Sequence, residues 1–123
     1  MKANELRIGN YVEVFVSFCL IKEEQVIDIM CDSINTKSHE NMTFDYIEPI
    51  PLTEDWLLKF GFKMISKHQF RKGIWGCDLR TKSFFKYMAN DKINHIADCE
   101  YVNQLQNLYF ALTGEELKYN HLK

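Results

Sequence analysis

The chain has 123 residues, 46% of them hydrophobic and 14% aromatic, which suits one well-filled core and leaves a second independent one marginal. A net charge of −2 and a pI near 6.1 argue against generic affinity for nucleic acid. No apolar run approaches the about 18 residues of a bilayer span: YVEVFVSFCLI is broken by Glu13, and MKANELRIGN lacks the apolar region of a secretory signal. A soluble, intracellular protein with no membrane partner is therefore expected.

The first half reads as strands. LRIGNYVEVFVSF places a turn at Gly9-Asn10 before a run rich in β-branched and aromatic residues. QVIDIMC predicts a second strand, residues 33–37 a short third, 38–41 a polar loop and 42–47 a fourth strand. Glu23-Glu24 and Glu115-Glu116 read as surface turns. Four short strands predict a small, strongly bent antiparallel sheet of SH3-like type. Pro49 and Pro51, which cannot donate to a ladder, end it.

PIPLTEDWLLKFGF then specifies a short helix over 53–60. Thr53 is placed to cap its first turn, and Leu52 and Leu57 hold the positions of a hydrophobic staple. Glu54 and Asp55 suit the positive end of the helix dipole and Lys59 the negative end, while Gly61 supplies the stop. Two turns are marginal in isolation, so Trp56, Leu57 and Phe60 must pack on something. Strand patterns follow at 62–66, 68–73, 74–80 and 82–88, with turns at Lys72-Gly73 and Arg80-Thr81, and again at 93–99.

A final helix is predicted over 100–113. Val102, Leu105, Tyr109 and Leu112 fall on one stripe, widened by Tyr101 and Leu108, and Gly114 ends it. Gln104, Gln106 and Asn107 read as its wet face. The expected fold class is α+β. An SH3-like N-terminal sheet (residues 1–51) packs with an α-β-β-β-α unit (52–123) as one compact body, both helices on one face of the second sheet.

Charge is unevenly spread. Residues 1–56 carry four Lys/Arg against eleven Asp/Glu, a balance of −7, and residues 57–123 carry eleven against six, a balance of +5. Such a split marks either two binding faces or two halves that attract each other. The strongest candidate surface is KHQFRKGIWGCDLRTKSFFKY (67–87), with six Lys/Arg against Asp78 alone. Lys67, His68, Arg71, Lys72, Arg80, Lys82 and Lys86 would supply charge for an anionic ligand, and Trp75 a stacking face. The plainer reading is a sheet with core aromatics on one face and solvated cations on the other.

Other chemistry is sparse. His95 and Cys99 are four apart and Cys77 lies eighteen before His95, but structural zinc sites offer close pairs on both sides, so no metal and no cofactor is expected. His39 and His121 sit in polar contexts and read as solvated. Cys19, Cys31, Cys77 and Cys99 form no C-x-x-C pair and read as free buried thiols. There is no Gly-rich phosphate loop, no G-x-S-x-G and no recognisable Cys-His pairing, hence no catalytic residue.

Three segments, NELRIGNYV (4–12), EPIPLTEDWLLKFGF (48–62) and NQLQNLYFALTGEEL (103–117), together resemble a group of short, uncharacterised proteins of Bacteroides-type gut bacteria and their phages and mobile elements. The resemblance covers both ends and the middle but neither 13–47 nor 63–99, and it carries no functional residue across. It implies a bacterial cytoplasm and a phage or mobile-element setting. The expected function is a non-enzymatic accessory protein that binds a host protein or an anionic small ligand. A nucleic-acid-binding accessory protein, or a virion or assembly component acting by self-association, is the alternative.

Overall fold

Gly9 opens the first sheet. At φ +98° it turns the chain so that its N–H donates to the Val26 carbonyl, while the Arg7 N–H donates to Asn10 Oδ1. The computed structural model describes residues 5–16, 19–30, 33–36, 39–40 and 42–118, the side chains of 16–23, 45 and 91 excepted. Within these residues the strands are β1 (Tyr11–Val16), β2 (Cys19–Ile29), β3 (Ser33–Thr36), β4 (Met42–Thr43) and β5 (Ile47–Glu48). They pair antiparallel in the order β4-β3-β2-β1-β5. Val12, Val14, Val26, Ile34, Ile47 and Leu6 form its core.

Two expectations are corrected here. The single strand over 42–47 is split by a 3-10 turn at Phe44–Tyr46, so that β4 pairs with β3 while β5 pairs with β1. A straight strand cannot serve both edges of a bent sheet, and the turn redirects the chain from one to the other. Glu23-Glu24 is no turn either. It lies inside β2, which begins at Cys19 and keeps Glu24 opposite Val12. Register shifts at Val12/Val14 and Val26/Asp28 mark irregularities that bend this long strand.

The second half follows its local signals closely. The Thr53 hydroxyl accepts the Trp56 N–H at 3.4 Å and starts α1 (Glu54–Lys59). Gly61, at φ +92°, ends it in a Schellman arrangement: Phe62 N–H donates to Leu57 O and Gly61 N–H to Leu58 O. β6 (Lys63–Met64), β7 (Gln69–Lys72), β8 (Trp75–Asp78), β9 (Ser83–Tyr87) and β10 (Ile93–Asp98) then form a plain antiparallel meander, β10-β9-β8-β7-β6. Five strands therefore separate the helices, one for each strand pattern read along 62–99, where the α-β-β-β-α outline had three. α2 (Val102–Thr113) closes the chain's regular structure, and Gly114 stops it at φ +75°.

Phe70, Cys77 and Phe84 stand opposite one another across β7, β8 and β9. They share one buried cluster with Trp56, Leu57 and Phe60 of α1 and Val102, Leu105 and Tyr109 of α2. Each such side chain fully removed from water is worth about 1.5–3 kcal/mol, which is what holds the six-residue α1 in place. The other face of β8 is shaped by Gly76. A Cβ there would collide with Phe85 Cε1 and lie 2.8 Å from Tyr87 Cε2, so only glycine lets those two rings, set edge to face at 76°, close over the strand.

α2 departs from its sequence reading. Leu112, placed on the apolar stripe, is 44% exposed. Gln106, placed on the wet face, is 2% exposed. Its Oε1 accepts the Tyr11 N–H at 2.9 Å and its Nε2 donates to Gly9 O at 3.0 Å. Arg7 extends this seam: Nε donates to Asn107 Oδ1 at 2.8 Å, and both terminal nitrogens reach Glu116 at 2.9 Å. Tyr11 packs on Trp56 with ring centroids 5.4 Å apart. The seam selects for the residues that can satisfy β1 backbone groups, which overrides helix-face hydropathy. No helix among the described residues is long and apolar enough to cross a membrane.

Candidate functional site

The eight sequence-predicted ligand residues do not converge; they divide between the two ends of the second sheet. At one end, Lys67, His68, Arg80 and Lys82 lie in or beside the loops flanking β7 and β8, tied together by the Leu79 N–H donating to His68 O. Lys82 holds Glu100 at 3.2 Å and takes φ +54° to close its turn. Asp78 organises this end by accepting the N–H groups of Arg80 at 2.9 Å and Thr81 at 3.2 Å.

Burial pushes the Asp78 carboxyl up, but the Thr81 and Arg80 N–H bonds, the Gln69 amide and the Arg80 charge outweigh it and hold it below the ordinary aspartate range. A carboxylate favoured in the folded state contributes stability in full above its unfolded pKa of about 3.9, and loses it as pH falls through the lower folded value. Asp78→Asn is therefore expected to be less stable than the parent at pH 7. The gap should close progressively below about pH 4, read as urea midpoints across pH. A gap that persisted unchanged to pH 2 would mean the carboxylate charge contributes nothing.

At the Gly73 end, Lys72, Trp75 and Lys86 are cross-strand partners on the helix-bearing side. Trp75 already stacks on Phe84 with centroids 5.7 Å apart and planes at 15°, and Lys86 Nζ lies 5.9 Å from its ring centre. One indole face is thus occupied by the protein itself.

The same end carries a recess of about 280 Å³ lined by Gly61, Lys63, Ile65, Arg71, Lys72 and Gly73. Its construction follows from the chain. The Schellman stop at Gly61 delivers β6, whose Lys63 stands directly opposite Arg71 of β7. Lys72 Nζ donates to Phe60 O at 2.9 Å, satisfying a carbonyl at the negative end of α1. That ammonium lies 2.7 Å from where a Cβ on residue 61 would be, so a side chain there would displace the Lys72 ammonium, while the φ of +92° is what calls for glycine. Arg71 Nε donates to Gly73 O at 2.7 Å while its guanidinium lies 4.1 Å from the Tyr87 ring centre, which fixes its orientation.

Three cations thus border one concavity with no carboxylate in its lining. Lys63 and Arg71 are like charges in direct cross-strand opposition. Arg71 and Lys72 belong to the sequence-predicted set; Lys63, Gly61 and Gly73 do not. Lys63 was hidden because its significance depends on β6–β7 register. The available signal was a glycine at each mouth of a basic hairpin.

Elsewhere the chemistry is quiet. No group of three metal-binding side chains occurs among the described residues, and His95 sits 3.8 Å from Asp98. Cys77 and Cys99 are free and buried; burial pushes the Cys99 thiol up to about 12, and burial, with the neighbouring Cys99, raises Cys77 as well. Neither is a thiolate nucleophile at neutral pH. Cys31, the Cys19 side chain and His121 lie outside the described residues. His39 is half-buried rather than solvated, with Nδ1 3.2 Å from Glu24 Oε1. Thr36 Oγ1 donates to that same oxygen at 2.8 Å, so the imidazole does not stand between hydroxyl and carboxylate as a general base would. No protein-family model, no curated protein and no solved structure matches this chain.

Proposed function

We propose that this chain is a non-enzymatic binding module that holds a small anionic ligand, with phosphate-like charge, in the recess bordered by Lys63, Arg71 and Lys72. The observation that carries this reading is a recess of about 280 Å³ bordered by Lys63, Arg71 and Lys72 with no acid among its lining residues. An anion there is held by charge-assisted hydrogen bonds from the bordering cations. The first sheet is read as SH3-like, supported by the β4-β3-β2-β1-β5 order and the 3-10 turn between β4 and β5. The setting is a phage or mobile-element gene of a Bacteroides-type bacterium, acting in the host cytoplasm. Its support is the resemblance of the three segments, which meet at one seam where Arg7 and Tyr11 touch Asn107, Glu116 and Trp56. They form scaffold, and the recess lies in the less recognisable sheet.

The test is calorimetric titration with pyrophosphate and with a short oligothymidylate at low salt. Pyrophosphate is expected to bind, and the Lys63→Ala/Arg71→Ala double variant to weaken it about tenfold or more, since each charged hydrogen bond is worth roughly 1.5–3 kcal/mol. The Lys67→Ala/Arg80→Ala variant, at the far end, should leave it unchanged. Absence of pyrophosphate binding sinks the proposal. Oligothymidylate binding weakened by both variants, with a steep salt dependence, would replace it with the nucleic-acid reading.

A further inference from the structure

A second recess, about 420 Å³ in volume, opens between Glu5, Pro49 and the face of α2 that runs from Asn103 to Ala111. Pro49, Leu108 and Ala111 give it apolar walls, and no Lys or Arg lines it. Its polar groups are nearly all committed to the protein. Gln104 Oε1 accepts the N–H groups of Glu100 and Tyr101, at 2.8 and 3.0 Å. Asn107 Oδ1 accepts from Arg7 and Asn10, and its Nδ2 donates to Glu5 O at 3.1 Å.

Asn103 is the exception. It lines the recess while only 2% exposed, and its Nδ2 donates to Glu5 O at 3.1 Å. That bond settles the amide's orientation, because the flipped form would set two carbonyl oxygens against each other. Oδ1 is then buried with no donor among the described residues. A buried acceptor left so costs about 1–3 kcal/mol, and native proteins keep few of them without a purpose. The acceptors facing this recess are Asn103 Oδ1 and the carboxylates of Glu5 and Asp98, the latter 3.8 Å from His95, and they outnumber its one open amide donor, Gln104 Nε2.

We propose that this recess binds a small organic cation, an ammonium or guanidinium on an apolar frame. Its N–H donates to Asn103 Oδ1, the frame lies on Pro49, Leu108 and Ala111, and Glu5 and Asp98 balance its charge. The positive end of α2 opposes a cation, but it amounts to about half a charge against two carboxylates. The site is independent of the anion recess and uses none of its residues.

Benzylamine, benzyl alcohol and benzoate, titrated against the intact chain at low salt by saturation-transfer NMR, test this. Benzylamine is expected to bind about tenfold or more tightly than the isosteric alcohol, the difference of one charged hydrogen bond, with benzoate silent. Asn103→Leu should abolish the preference, but it also removes the Glu5 anchor. Ala111→Trp is therefore the companion variant: Ala111 is exposed, so the indole fills the recess without entering the core, and amine binding should vanish while circular dichroism is unchanged. Equal binding of the three probes, no benzylamine binding, or amine binding retained in Ala111→Trp would each overturn the proposal.

Discussion

Replacing Gln106 with leucine, which helix-face hydropathy would favour, is expected to destabilise the protein by about 2–4 kcal/mol. The side chain is 2% exposed and accepts the Tyr11 N–H while donating to Gly9 O. Leucine has nearly the same volume but leaves the Tyr11 N–H without this acceptor and removes one partner from the Asn10 amide. Removing one partner of a buried hydrogen bond costs about 1–3 kcal/mol, while Asn10 Nδ2 keeps Asn107 Oδ1 and Gly9 O keeps its second donor, Gln25 Nε2. Leu112→Gln, on the same helix but 44% exposed, should stay within about 0.5 kcal/mol. Urea midpoints at constant slope measure both. If the two variants came out in the reverse order, the polar seam would not be what joins the sheets.

Phe84→Ala carries the other large effect, an expected loss of about 3–5 kcal/mol. Phe84 is fully buried, stands opposite Cys77 of β8 and Ala97 of β10, and stacks on Trp75 at 5.7 Å. Its removal leaves a cavity between sheet and helices that the neighbouring strands, fixed by their ladders, can only partly close. Against a total stability typical of single domains, about 5–15 kcal/mol, this is enough to lower the melting temperature by roughly 10–20 °C. Phe15→Ala, at a side chain 44% exposed, is the matched control and should lose far less. Comparable losses at the two positions would mean that the cluster is not the dominant core.

The recess at Lys63 and Arg71 and the seam at Gln106 share a cause for having been hard to read. Both are made of residues distant in sequence whose roles depend on register and docking. KHQFRKGIWGCDLRTKSFFKY showed a concentration of cations, and Arg71 and Lys72 do border the recess. Strand alternation and hairpin geometry, though, sent Lys67, Arg80 and Lys82 to the opposite end and turned Trp75 onto Phe84. Composition along a strand run cannot tell which cations share an end, because each hairpin reverses direction and each residue step changes face.

What the sequence determined by itself was whatever is encoded within a few residues. α1 is the clearest case: Thr53 caps it, Glu54, Asp55 and Lys59 suit its dipole, and Gly61 terminates it, all through bonds spanning five residues or fewer. The hairpin strands Gln69–Lys72, Trp75–Asp78 and Ser83–Tyr87 were legible for the same reason, since turn chemistry and alternation are local. The tertiary structure alone decided which edge β5 joins, why Phe44–Tyr46 must turn, and that Gln106 is buried while Leu112 is not. Those outcomes are set by the demand that every buried backbone donor and acceptor in two docked sheets be satisfied at once. A helix side chain some 95 positions away in the chain can meet that demand, and no pattern within the helix announces it.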